Sequence, residues 1–446
     1  MIERLFRLRE HGSTPAREVL AGCTTFAAMA YILVVNPAIL ADAGMPRAAL
    51  VTATAVGAAM ATLLMALLAN LPLAMAPGMG INAFFAYAVC VGMGIPWQSA
   101  LGFVCLNGVI FLALSVGGVR RKIVEAIPLP LKAAIAAGIG LFIAFIGLKN
   151  GGLVVANPAT FVSLGDLTSP PVALFAVGVL LTCGLVARRT PAAILISVGV
   201  LAVIGLWVPN GQGGRVTQLP ETWVSLPASI EPVFLKLDFG YVLREPLRAL
   251  PVILTLLLVD LFDNIGTLIG VTKRAGLMNA QGEVPRLQRA LTADSLAAIL
   301  SSLLGTSTVV SYIESATGVQ AGGRTGLTGV TVAVLFLLAL FLTPILLAIP
   351  GVAVAPALVV VGILMFESMG EIDLKRFELA APAVLTVIGM PFTFSISTGM
   401  GMGLIAAVVV SLVSGRGREN LTPFTCGLAG VFLLHFLEPW WLRHGG

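Results

Sequence analysis

Charged side chains are scarce in this chain. Asp, Glu, Lys and Arg make up 11% of its 446 residues, against about a quarter in an ordinary soluble domain. A water-soluble multidomain protein needs far more polar surface, so that class is excluded. Histidine is nearly absent. His11, His435 and His444 stand near the two ends, which leaves no residues for a buried imidazole relay or a His-rich metal centre. Five cysteines (Cys23, Cys90, Cys105, Cys183 and Cys426) are scattered singly with no CxxC pair. Neither a disulfide framework nor a thiolate metal site follows from that spacing, and no cofactor is expected. No small-residue cleavage site follows the basic N-terminus (Arg4, Arg7, Arg9, Arg17), so no cleavable signal peptide is expected. The net charge of +5 resides mostly in basic loops and implies no nucleic-acid partner.

Apolar residues are what the chain has in excess, at 58%. Runs of about 17–25 of them recur, each long enough to cross a hydrocarbon layer about 30 Å thick. The expected fold is an all-α polytopic membrane protein of about 14 transmembrane spans. The first seven cover 18–40, 48–69, 73–92, 98–117, 128–148, 171–187 and 191–208. The second seven cover 249–270, 290–305, 306–326, 327–348, 354–370, 379–394 and 398–414. Between them lies a polar, Pro- and Gly-containing linker, 209–248, so the units are 1–208, 209–248 and 249–420. The C-terminal segment 421–446 holds an apolar piece, Phe424–Phe436, short enough to lie at the interface.

With the N-terminus in the cytoplasm, the inside loops carry Arg120, Arg121 and Lys122; Arg188 and Arg189; Lys273, Arg274, Arg286 and Arg289; Lys375 and Arg376; and Arg416 and Arg418. The outside loops carry Arg47, Lys149 and four more over the linker. This asymmetry sets the orientation. The expected location is a bacterial inner (plasma) membrane.

Seven spans, a linker and seven more spans make a 7+7 inverted repeat, because an odd number of spans per copy inverts the second. Spans 3 and 10 are interrupted at equivalent places, at Ala76-Pro77-Gly78-Met79-Gly80 and at Ser311-Tyr312-Ile313-Glu314-Ser315. Paired broken helices point to a transporter's midplane site. The β-branched run Thr308-Val309-Val310-Ser311 reads as a short extended segment, followed by a half-helix from Ser315.

Chemistry concentrates at these breaks and in span 8. Asp260, Asp263, Asn264 and Thr267 recur at helical spacing and form one polar stripe. A carboxylate at the bilayer centre costs about 2.5–3.5 kcal/mol, so the stripe must face a neighbouring helix or a wet cavity. It either locks helix to helix or binds substrate and proton. Like charges this close should not both ionise in a dry site, so one is expected to hold a proton. Glu314 can accept N–H donors from a heterocycle or cap the half-helix. Ser315 and Thr317 can cap it or touch substrate. Gly80 lets backbone approach a ligand, and Asn82 offers both a donor and an acceptor. Ile313 flanks Glu314. Phe26 and Tyr31 are candidates to stack on a planar ring, with core packing the commoner role. Arg324 reads as structural pairing. Glu125, Asp166, Glu283, Asp294 and Glu367 read as solvated or structural.

These segments carry a family resemblance. Over roughly 1–440 the chain resembles the AzgA-like purine permeases of the nucleobase–ascorbate transporter (nucleobase–cation symporter) superfamily. It does so most specifically at Ala76–Tyr87, Val259–Gly270 and Ser311–Gly329. The resemblance implies a core domain of spans 1–4 and 8–11, a gate domain of spans 5–7 and 12–14, and strands in both breaks. It also implies uptake of hypoxanthine, guanine or adenine with protons, and a homodimer joined through the gate domain. Asp260, Glu314 and Asn82 would bind substrate, and Asp263 is the second span-8 carboxylate.

The expected function is an elevator-type proton symporter of purine bases, with Asp260, Asp263 and Glu314 as proton-coupling candidates. Alternatives are sodium as coupling ion, or uracil, xanthine or an inorganic anion as cargo; the acidic centre argues against an anion. A remote alternative is an intramembrane enzyme using the Asp260/Asp263 pair, but that pair shares one helical turn.

Overall fold

A backbone in hydrocarbon must satisfy its own N–H and C=O groups, so apolar runs become helices. The computed structural model describes residues 2–116, 128–211, 213–278, 284 and 286–444. Among these residues, nine helices are long and apolar enough to cross a membrane, and four apolar helices are shorter. The basic loop at Arg120–Lys122, and Glu125 and Glu283, lie outside the described residues.

Span 1 is two helices, Pro15–Met29 and Ile32–Ala41, joined at Ala30 and Tyr31. Spans 2, 4 and 5 are Arg47–Leu68, Trp97–Val116 and Leu129–Asn150, and spans 6 and 7 are Pro170–Ala187 and Ala193–Gly205. Spans 8 and 9 are Pro246–Arg274 and Leu287–Leu303. Span 11 starts at Gly326 and reaches Ala348 through a tighter turn at Leu340–Leu342. Spans 12, 13 and 14 are Gly351–Phe366, Phe377–Thr393 and Ile396–Val413.

Spans 3 and 10 are broken, as their sequences predict. Span 3 is a strand, β1 (Met75–Pro77), then a helix from Met79 that continues as a π-helix over Phe84–Gly92. Strands β2 (Val154–Asn157) and β3 (Phe161–Leu164) come next in the chain. Span 10 is a strand, β4 (Val309–Ser311), then the short helix Ser315–Gln320. β1 and β4 pair antiparallel, with Met75 opposite Ser311, Ala76 opposite Val310 and Pro77 opposite Val309.

Each break thus supplies the hydrogen-bond partners that the other lacks. Side chains complete the joint. The Thr62 hydroxyl accepts from Met75 N at 2.9 Å and donates to Met75 O at 3.0 Å. The Tyr312 hydroxyl donates to Pro77 O at 2.6 Å.

Packing follows the inverted repeat. Span 9 packs on span 4 as span 2 packs on span 11, span 12 packs on span 6 as span 5 packs on span 13, and spans 5 and 12 pack on each other. The last pair crosses closely: a Cβ on Gly362 would lie 2.4 Å from Gly140 O. Small residues permit such backbone approach in membranes. Spans 1–4 and 8–11 pack mainly among themselves, as do spans 5–7 and 12–14; we call the first set the core group and the second the gate group.

Two features were not read from the sequence. β2 and β3 form a hairpin between spans 5 and 6. Its signal is the β-branched run on either side of Asn157, whose side-chain oxygen accepts from Ala159 N at 2.8 Å in the turn. The linker adheres to the core group: Leu235 N bonds Leu303 O, Asp238 N bonds Gln98 O, and the Thr52 hydroxyl donates to Ala228 O. The C-terminal helix, Pro423–His444, packs on span 14.

Candidate functional site

The broken spans meet span 8 beside the gate group, and a cavity of about 870 Å³ opens there. The core group contributes Gly80, Asp263, Thr267 and Ile313 to its wall. The gate group contributes Ile139 and Met365, with Lys132, Glu367 and Glu371 toward the end where span 5 begins and spans 8 and 12 finish. The volume falls within the range of about 300–1,000 Å³ usual for small-molecule sites.

Glu314 follows Ile313 and is half-buried. The Tyr31 hydroxyl donates to its Oε1 at 2.7 Å. Asp263, on span 8, lies within electrostatic reach of Glu314. Asp263 lines the cavity itself, and Glu314 stands next in the chain to Ile313, which also lines it.

The other predicted residues sit further back. Asp260 is 1% exposed and accepts from Asn107 Nδ2 of span 4 at 3.0 Å. Asn82 is fully buried; its side-chain oxygen accepts from the Ser307 hydroxyl, and its Nδ2 has no hydrogen-bond partner among the described residues. Asn264, one turn after Asp260, is buried with neither amide atom partnered among the described residues. Ser315 accepts from Ala74 N at 3.0 Å, and Thr317 donates to Glu314 O at 2.7 Å. Both hydroxyls therefore serve the break. Phe26 packs edge-on against Phe336 of span 11, ring centres 5.2 Å apart. Arg324 donates to Val319 O and Gly323 O, closing the end of the short span-10 helix.

Sequence reasoning left three contributors unplaced. Tyr31 was weighed mainly as packing, yet its hydroxyl reaches Glu314. Asp294 was read as lying at a span end. Span 9 begins at Leu287, so Asp294 stands two turns inside it, 1% exposed and within electrostatic reach of Asp263. Asn107 gave no signal, because its partner Asp260 is 153 residues away.

A second cavity of about 350 Å³ lies at the opposite end, lined by Ile39, Asp42, Tyr87, Asn150, Val354 and Leu358. Spans 1, 3, 5 and 12 form it, and these are the repeat partners of spans 8, 10, 12 and 5 around the larger cavity. There Asn150 Nδ2, from the gate group, donates to the Tyr87 hydroxyl of the core group at 2.9 Å. Tyr87 in turn donates to Asp42 Oδ2 at 2.7 Å.

Comparisons with known proteins follow the same geometry. Residues 16–402 match the model of a permease family, Xan_ur_permease. The chain is 43% identical over 434 residues to the adenine permease AdeP of Escherichia coli (strain K12), covering 97% of this chain and 95% of that one. It is 42% identical over 454 residues to the guanine/hypoxanthine permease PbuG of Bacillus subtilis (strain 168), covering 98% and 99%. Among solved structures, the transmembrane domain of a cyanobacterium bicarbonate transporter, BicA, shares the fold with a TM-score of 0.63 at 18% identity. That match covers 85% of this chain and 96% of the other.

Proposed function

The chain belongs to this permease family, and from that premise we propose that it is a secondary transporter importing purine nucleobases by proton symport. Relatives named as adenine and guanine/hypoxanthine permeases align along nearly its whole length. The observation that carries the reading is Asp263 in the wall of a cavity beside two broken helices, with Glu314 of span 10 within its electrostatic reach. A purine base presents N–H groups, and carboxylate oxygens accept them. Thr267 and the backbone at Gly80 border the same space, and Asn82 keeps an unused amide donor just behind it.

The coupling proton belongs to the same carboxylates. Two neighbouring anions repel, and one proton relieves the repulsion. Asp263 is the first candidate because it faces the cavity. Asp260 can exchange a proton only through the interior of the core group, where Asn107 holds it.

Transport follows from the two cavities. The larger one opens at the end that the basic loops assign to the cytoplasm. Its repeat partner, the smaller cavity, is bridged by the Asn150–Tyr87 bond between the gate and core groups. Sliding the core group along spans 5 and 12 closes one cavity and opens the other, an elevator-type alternation. The N-terminus is cytoplasmic in this reading, and the membrane is a bacterial inner membrane.

The test is uptake of labelled hypoxanthine, guanine, adenine, xanthine and uracil in cells lacking their own permeases. Purine uptake that collapses with a proton uncoupler and falls in both Glu314→Gln and Asp263→Asn is expected. Uptake of uracil alone, or purine uptake unaltered in both variants, overturns the reading.

A further inference from the structure

Tyr31 stands at the junction of the two helices of span 1 and is 2% exposed. A buried phenol needs an acceptor for its proton. Among the described residues, its hydrogen bond goes to Glu314 Oε1, at 2.7 Å. One oxygen of Glu314 is thereby engaged by Tyr31, and Glu314 stands next in the chain to Ile313 in the cavity wall.

We propose that Tyr31 is a positioning residue that fixes the hydrogen-bonding polarity of Glu314 and so selects ligands that present a ring N–H to it. The inference rests on the purine-site reading above and goes beyond it. Without the phenol, the carboxylate can turn and offer either oxygen, and its alignment to the ligand is lost. With the phenol, only one oxygen faces the ligand, in one orientation.

The consequence is sharpest in a variant that makes position 314 two-faced. In Glu314→Gln, the amide has an oxygen on one side and an NH₂ on the other. Tyr31 has a proton to place, so it holds the amide oxygen and turns the NH₂ toward the ligand. An N–H ligand then meets a donor. Removing the phenol releases the amide, which can flip and present its oxygen to the ligand. Tyr31→Phe added to Glu314→Gln should therefore restore binding, although each change alone weakens it.

The experiment measures equilibrium binding of labelled hypoxanthine to the purified full-length protein, with uptake in cells alongside, for wild type, Tyr31→Phe, Glu314→Gln and the double variant. Tyr31→Phe alone is expected to raise KM roughly 10-fold, near the lower end for a hydrogen bond to a charged group, with little change in Vmax. The double variant is expected to bind roughly 2- to 13-fold more tightly than Glu314→Gln, the range of a neutral hydrogen bond. A structural role for Tyr31 predicts the reverse, a double variant as weak as Glu314→Gln or weaker, and that result overturns the inference. Failure of the wild type to bind any purine strikes the functional reading instead. Normal wild-type binding with no rescue strikes only the role given to Tyr31.

Discussion

The bond from Asn150 to Tyr87 joins the gate and core groups at the smaller cavity, 2.9 Å long and partly buried. Replacing Asn150 with Ala removes it. A net hydrogen bond of this kind contributes about 0.5–1.5 kcal/mol. In the proposed alternation that stabilisation is lost when the core group leaves Asn150, so the ratio of outward-open to inward-open molecules should rise by about 2- to 13-fold. Leu358 lines the smaller cavity and is 3% exposed. Leu358→Cys, in a background with the five native cysteines replaced, therefore reports opening through its reaction rate with a membrane-impermeant maleimide added from outside. Tyr87→Phe supplies an internal check. It also breaks the bond to Asp42, but Asp42 and Tyr87 both belong to the core group. In the proposed alternation that bond stays within one body and the Asn150 bond does not, so both variants should accelerate labelling by the same factor. A rise in Tyr87→Phe without a matching rise in Asn150→Ala would refute the reasoning, as would no rise in either.

Other perturbations separate packing from function. Gly362→Ala sets a methyl 2.4 Å from Gly140 O and 2.8 Å from Ala144 N, backbone atoms that cannot give way singly; a loss of about 1–3 kcal/mol should appear as a lower melting temperature in detergent. Gly80→Ala meets Ile139 Cγ2 at 2.9 Å, a methyl on the β-carbon of a stiff, buried side chain; uptake should fall with a modest drop in melting temperature, because the methyl enters the cavity wall between the core and gate groups. Glu18 is fully buried and accepts from Arg324 N at 3.0 Å, Thr325 N at 3.2 Å and the Thr328 hydroxyl at 2.5 Å; Glu18→Gln introduces a donor among donors, and a cost of about 1–3 kcal/mol is expected in thermal unfolding. Asp238 in the linker is held below its ordinary carboxylate value by the Gly240 N–H, then by the Ser99 hydroxyl. A lowered value stabilises the fold above the ordinary range, about pH 3.9, and that contribution is lost as pH falls through the folded value. Asp238→Asn should thus melt earlier than wild type at pH 7, and the gap should shrink in acid.

How much of this was legible depends on how local each signal is. Span positions follow from run length. The strand in span 10 follows from a β-branched stretch that resists a helix through Thr308–Ser311. The Asp260/Asp263 stripe was legible as inward-facing, but its division was not. Residues three apart on a helix differ by about 60° in direction, enough for one stripe to straddle two neighbours. Asp260 falls toward Asn107 of span 4 and Asp263 toward the cavity; only the packing of span 4 against span 8 decides which goes where. Ser315 and Thr317 looked equally suited to capping and to binding. A break creates orphan backbone groups close at hand, and those groups claimed both hydroxyls.

Tyr31 lies at the far limit of what sequence can reveal, since its partner is 283 residues away and no spacing links the two. The same distance gives the contact its meaning. Span 1 and span 10 come from opposite halves of the inverted repeat, so a bond between them belongs to neither half's local architecture. What it joins is a buried phenol and a carboxylate beside the cavity. A core-packing role needs only the aromatic ring, whereas the hydroxyl needs a purpose at Glu314. That difference is what Tyr31→Phe isolates, because it keeps the ring and removes the hydroxyl alone.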